Sequence, residues 1–173
     1  MPTDPPAAWS TAASRKASQR RGRQMKPEHE LALRDIDTHL RHRGSAKEQL
    51  DGICRLLQML PGYTGVYLYA LEGDTLVLRA YHGRATEHTR IPSGKGICGA
   101  SVQTRAPVIV EDVHSDSRYL ACNLETQSEI VFPILRGDAY LAQIDVDSDD
   151  KAAFGADDEA FLREVAKRLE PLF

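Results

Sequence analysis

The chain has 173 residues, 42% of them hydrophobic and 27% charged, with a net charge of −3. That size and balance fit a single globular domain with an ordinary core and exclude a low-complexity or highly charged disordered chain. Nowhere do about eighteen apolar residues run together, and the N-terminus lacks the apolar stretch of a secretory signal, so neither a membrane span nor export is expected and the cytoplasm is the expected setting.

Charge is distributed unevenly. Residues 1–26 hold six basic side chains (Arg15, Lys16, Arg20, Arg21, Arg23 and Lys26) against Asp4 alone, a local +5 that leaves −8 for the rest. Rich in Pro, Ala, Ser and Arg, this stretch can bury too little surface to fold and reads as a disordered basic tail, or as sequence upstream of a true start at Met25. A solvated tail accounts for it better than a nucleic-acid arm, because an isolated basic run carries little specificity. Residues 27–173 read as one domain.

The spacing of Leu31, Leu33, Ile36 and Leu40 predicts a helix over His29 to His42, closed by Gly44. Ser45-Ala46-Lys47-Glu48 has the form of a capping box, and Leu50, Ile53, Cys54, Leu57 and Leu60 continue on one face until Pro61-Gly62 stops the helix. Cys54 therefore reads as a buried packing residue. The period then changes to that of strands. Gly65 to Tyr69 and Leu76 to Tyr81 form a hairpin across Glu72-Gly73-Asp74, and His82 to Pro92 reads as a polar loop.

Gly94-Lys95-Gly96 opens a short helix over Ile97 to Gln103, and Val108 to Val110 is a third strand. Ile130 to Leu135 and Tyr140 to Val146 pair across Gly137-Asp138, and a last helix from about Asp157 turns Phe161, Leu162, Val165 and Leu169 inward. No internal repeat is visible. Helices at both ends bracket an antiparallel sheet, with a helix and a long loop laid over one face, which defines an α+β domain.

Three cysteines are too few and too unevenly spaced for a disulfide framework. No Cys-x-x-Cys or His-x-x-x-His spacing suggests zinc, and His88 and His114 lack clustered partners, so no metal site is expected. Cys98 falls at a helix start, where unpaired N–H groups and the helix dipole favour a thiolate. Cys122 follows in a polar loop. Asp145 and Asp147 alternate on a strand and share a face, which suits a pocket or an exposed strand end equally. Glu129 opens the neighbouring strand, where a solvated carboxylate is common. Asp112 reads as a turn-closing residue.

Gly94-x-Gly96-x-x-Gly99 satisfies the dinucleotide-binding pattern, but a polar segment precedes it and no βαβ unit surrounds it. A Walker loop is excluded because neither Gly-Lys-Ser nor Gly-Lys-Thr occurs. What remains is the freedom of glycine to let backbone approach a bound group and start a helix beside Cys98.

From Ala46 onward, through Asp112 to Tyr119 and the closing Ile144 to Ser148 strand, the chain resembles GAF domains. Arg90-Ile91-Pro92, Gly94-Lys95-Gly96-Ile97-Cys98-Gly99, Ala121-Cys122, Ser128-Glu129-Ile130 and Asp145-x-Asp147-Ser148 together resemble the free methionine-(R)-sulfoxide reductases within that family. The resemblance implies a GAF-like central antiparallel sheet, with the N- and C-terminal helices on one face and a short helix and long loop covering a ligand pocket on the other.

It also implies catalysis by Cys122 as nucleophile and Cys98 as resolving thiol, with Glu129, Asp145 and Asp147 holding the substrate ammonium. Thioredoxin would be the external reductant, no cofactor or metal would be bound, and a homodimer would form through the terminal helices. The chain departs from the family pattern at His88, where a third cysteine is usual, at Thr64, where a pocket tryptophan is usual, and at Asn123, where an aspartate usually follows the nucleophile. The sole tryptophan, Trp9, lies in the tail. A small-molecule-binding GAF module that kept the pocket without the reaction is the alternative the residues leave open.

Overall fold

The computed structural model describes residues 25–42, 44–120 and 124–173. The basic tail up to residue 24, with Trp9, and the segment containing Cys122 and Asn123 lie outside the described residues. Among the described residues four α-helices, α1 (Pro27–Arg41), α2 (Ala46–Gln58), α3 (Gly96–Thr104) and α4 (Ala156–Leu169), accompany six strands. These are β1 (Gly65–Glu72), β2 (Thr75–Gly83), β3 (Arg90–Pro92), β4 (Val108–Val110), β5 (Ser128–Arg136) and β6 (Ala139–Ser148). They form one antiparallel sheet in the order β3-β2-β1-β6-β5-β4.

The local signals explain the element ends. Pro27 opens α1, where its missing N–H costs nothing. Ser45 caps α2 through a complete capping box, its hydroxyl accepting from Glu48 N at 3.2 Å while Glu48 accepts from Ser45 N at 2.8 Å. Both hairpins turn at a glycine with positive φ, Gly73 and Gly137.

The period of two in the strands sorts side chains into two apolar layers. Val66 and Leu68 of β1, Ile130 and Ile134 of β5, and Ile144 and Val146 of β6 face α1, α2 and α4, and pack with Ile36, Ile53, Leu57, Phe161, Leu162 and Val165. The intervening Tyr67, Tyr69 and Val131 face the other way, toward Ile97 and Cys98 of α3. An irregularity between Leu68 and Tyr69 adds one residue to β2, so that Ala80 faces the terminal helices while Leu76 faces α3. Helices at both ends on one face, and a short helix with connecting segments on the other, match the expected α+β arrangement.

Two expectations change. His82 to Pro92 is not all loop: β2 runs on to Gly83, and Arg90–Pro92 pairs with Thr75–Val77 as edge strand β3. Pro92 sits at the strand end, where its missing N–H is tolerated. Consequently Val108–Val110 is the fourth strand. No described helix is long and apolar enough to cross a membrane.

Candidate active site

The two layers leave a polar row on the α3 side of the sheet. Gln143, Asp145 and Asp147 succeed one another along one face of β6, and all three are buried. Glu129 of β5 lies opposite Asp147 in the register, and Val131 lies opposite Asp145. Glu129 is 6% exposed, Asp145 4% and Asp147 5%, so the alternative of solvated strand-end carboxylates does not hold.

Cys98 comes down onto this row from the first turn of α3. Its thiol donates to Asp145 Oδ2 at 3.2 Å. The glycines around it have a steric role. Gly94 and Gly96 take positive φ values of 85° and 68°, and a Cβ on Gly99 would lie 2.7 Å from Gly94 N. The loop thus folds back against the first turn of its own helix, and only glycine permits that approach.

Three buried acids at one place repel each other's charges. Burial, followed by the negative charges of Asp145 and Asp147, pushes the Glu129 carboxyl well above the usual carboxylate range. Asp147 is raised well above that range by burial and then by Asp145, against a hydrogen bond from Thr126 Oγ1 at 3.2 Å. Asp145 is raised less, to about 6, because hydrogen bonds from Cys98 and Glu129 oppose the cost of burial. Asp145 Oδ1 is buried and meets no hydrogen-bond donor from outside the cluster. Such a cluster holds protons near neutral pH, can pass one to a leaving oxygen, and gives up protons to receive a cation.

Residues that sequence patterns did not single out complete the surroundings. The Tyr67 hydroxyl donates to Arg84 O at 2.9 Å and the Tyr69 hydroxyl to His88 O at 2.9 Å, pinning residues 84–88 to β1. Arg84 binds Asp149 through two hydrogen bonds of 2.7 and 2.6 Å, and its Nε lies 2.8 Å from Glu125 Oε2. Thr64 donates to Asp149 Oδ1 at 3.1 Å, so this position is tied to the end of β6. Single hydroxyls and one loop arginine have no periodicity, so only the fold reveals them.

Other candidates sort by position. Cys54 is fully buried among the terminal helices, away from α3. Asp112 accepts from His114 N and Ser115 Oγ, both at 3.1 Å, and closes the 3₁₀ turn Val113–Ser115 as expected. Cys122 lies outside the described residues.

The chain is 37% identical over 102 residues to the free methionine-R-sulfoxide reductase of Escherichia coli K12, covering 59% of this chain and 61% of that protein. It is 38% identical over 109 residues to the enzyme of that name from Saccharomyces cerevisiae, covering 62% of this chain and 60% of the relative. The match thus spans about three fifths of the length of these curated relatives. A solved type II free methionine-R-sulfoxide reductase from Thermoplasma acidophilum superposes with a TM-score of 0.71 at 41% identity, over 73% of this chain and 91% of that one. Residues 45–170, from the cap of α2 to the end of α4, match the sequence model of the GAF domain, and this chain belongs to that family.

Proposed function

We propose that this protein reduces free methionine-(R)-sulfoxide to methionine. The observation that carries the reading is the meeting of a thiol with buried carboxyls: Cys98 from α3 beside Asp145, with Glu129 and Asp147 on the same floor. Identity to relatives that bear this activity in their names supports it.

The chemistry balances with the groups at hand. A cysteine thiolate, assigned by resemblance to Cys122, attacks the sulfoxide sulfur; the oxygen takes a proton and ends on the enzyme as sulfenic acid while methionine departs. The Cys98 thiol condenses with the sulfenic acid, forming a disulfide and releasing water. Thioredoxin reduces that disulfide by exchange, supplying two electrons and two protons. Glu129, Asp145 and Asp147 pair with the substrate ammonium, which selects a free amino acid over a peptide-bound residue. A carboxyl raised by burial and crowding is the proton donor to the leaving oxygen. No bound cofactor enters the cycle. A cytoplasmic setting and pairing of two copies through the terminal helices belong to the same reading.

The test is NADPH consumption with thioredoxin and its reductase, comparing the R and S epimers of free methionine sulfoxide. Loss of NADPH selective for the R epimer, abolished by Cys122→Ser, supports the proposal. Thr64 and His88, at positions where the family usually carries tryptophan and cysteine, favour a second reading, a GAF module that binds a small cationic ligand without turnover. Saturable binding of methionine sulfoxide by the wild-type protein with no epimer-selective turnover would establish that reading instead.

A further inference from the structure

Cys98 Sγ, a carboxylate oxygen of Glu129 and a carboxylate oxygen of Asp145 lie within 4.8 Å of one another on three buried side chains. They come from three separate elements, α3, β5 and β6, so their mutual placement is fixed by the fold. A tetrahedral zinc ion with bonds of about 2.3 Å to sulfur and about 2.0 Å to oxygen holds such ligand atoms about 3.5 Å apart. Cys98 Sγ and Asp145 Oδ2 are 3.2 Å apart.

Two further facts say what the cluster lacks. Asp145 Oδ1 is buried and meets no hydrogen-bond donor from outside this group of side chains. None of the ion pairs among the described residues involves Glu129, Asp145 or Asp147, so no described lysine or arginine forms a salt bridge with these acids. A buried set of acceptors with an unmet valence is completed by a cation.

We propose that Cys98, Glu129 and Asp145 form, in the reduced protein, a binding site for a borderline-soft divalent cation of the zinc class, with a fourth position open to water. Sulfur in the donor set selects zinc, cobalt or cadmium over magnesium and calcium, which take oxygen ligands in larger number. Binding displaces the protons of the thiol and carboxyls and changes no oxidation state. The metal covers the thiol and the acids together, so the loaded form is a protected resting state whose Cys98 resists oxidation and alkylation. The ligands stand at positions 98, 129 and 145, a separation that no short metal-binding motif describes.

Cobalt(II) is the direct probe, titrated anaerobically into the full chain after reduction and removal of the reductant. One cobalt per chain is expected, with a sulfur-to-cobalt charge-transfer band in the near ultraviolet and visible bands of tetrahedral intensity. Zinc should displace it, and excess magnesium should not. Cys98→Ser should abolish the charge-transfer band, and Asp145→Asn and Glu129→Gln, which keep side-chain shape, should each weaken zinc binding by about tenfold or more. Far-ultraviolet circular dichroism confirms that each variant is folded. Absence of the band in the reduced wild type, its survival in Cys98→Ser, or unchanged zinc affinity in folded Asp145→Asn would each overturn the proposal.

Discussion

Cys54 packs among Leu50, Ile53 and Leu57 with no exposed surface, and burial, reinforced by the charge of Asp51, pushes its thiol up to about 12. Almost no thiolate forms there at physiological pH, and reagents have no path to the sulfur. Iodoacetamide at pH 8 should therefore leave Cys54 unmodified in the native protein and label it fully in denaturant, as peptide mass spectrometry would read. Substantial native labelling would mean that α2 opens readily. Cys54→Ala should cost about 1 kcal/mol, measured by urea unfolding, since it removes only one sulfur's worth of packing. This residue was legible because its neighbours recur at helical spacing. Cys98 was legible in part: the glycines located the helix start, but its carboxyl neighbours lie on strands far away in sequence.

Among the elements, α2 rests on a signal that is local and complete. Ser45→Ala removes the hydroxyl that accepts from Glu48 N and should lower stability by about 1 kcal/mol in urea unfolding. Gly99→Ala tests a less local dependence. Alanine favours helix by about 1 kcal/mol over glycine, yet its Cβ would meet the backbone of Gly94, which cannot rotate away. The clash should prevail, giving a net loss of about 2 kcal/mol together with weakened ligand binding, because the loop and the first turn of α3 separate around Cys98. A stabilised Gly99→Ala protein would show that the approach is not tight.

The helices and both hairpins could be read from the chain because capping boxes, apolar stripes and turn glycines act over a few residues. Edge strand β3 could not, since three residues ending in proline have no period and acquire a strand partner only when Thr75–Val77 comes alongside. The added residue in β2, which turns Leu76 toward α3 and Ala80 toward the terminal helices, is likewise set by pairing with β1. The polar row was half visible. Alternation put Asp145 and Asp147 on one face, whereas the burial of all three acids and the arrival of Thr126 depend on register and loop path.

Across the whole molecule, two groups of carboxylates act on stability in opposite directions as pH changes. Asp158 joins the terminal helices: it accepts from Lys26 Nζ at 3.3 Å, from Gly155 N at 3.0 Å and from the Tyr63 hydroxyl at 3.4 Å, and it lies 3.5 Å from His29 Nε2. Although burial works the other way, the hydrogen bonds from His29 and Gly155 and the charge of Lys26 bring its carboxyl down to about 2. Stability from this group is complete above the unfolded value near 3.8 and is lost as pH falls toward 2. Asp145, raised to about 6, has the reverse sign: its contribution is complete below about 3.8 and is lost as pH rises through 6, with Glu129 and Asp147 extending the loss upward.

The ligand-free, metal-free protein should consequently be most stable where these windows meet, near pH 4, roughly a unit or more below the usual optimum for folded domains. From there to pH 7 the Asp145 contribution alone is on the order of 2–3 kcal/mol, or roughly 5–10 °C in Tm for a domain of this size. Scanning calorimetry from pH 4 to pH 8 should show that fall, and the Asp145→Asn, Glu129→Gln double variant should flatten it and be more stable than the wild type at pH 7. A ligand bearing an ammonium group reverses the slope, because it binds the ionised acids; free methionine should raise Tm more at pH 8 than at pH 5. A Tm that rises steadily from pH 4 to pH 8 without ligand would mean that the three carboxyls are solvated in solution, which removes the basis for proton donation and cation binding at the same site.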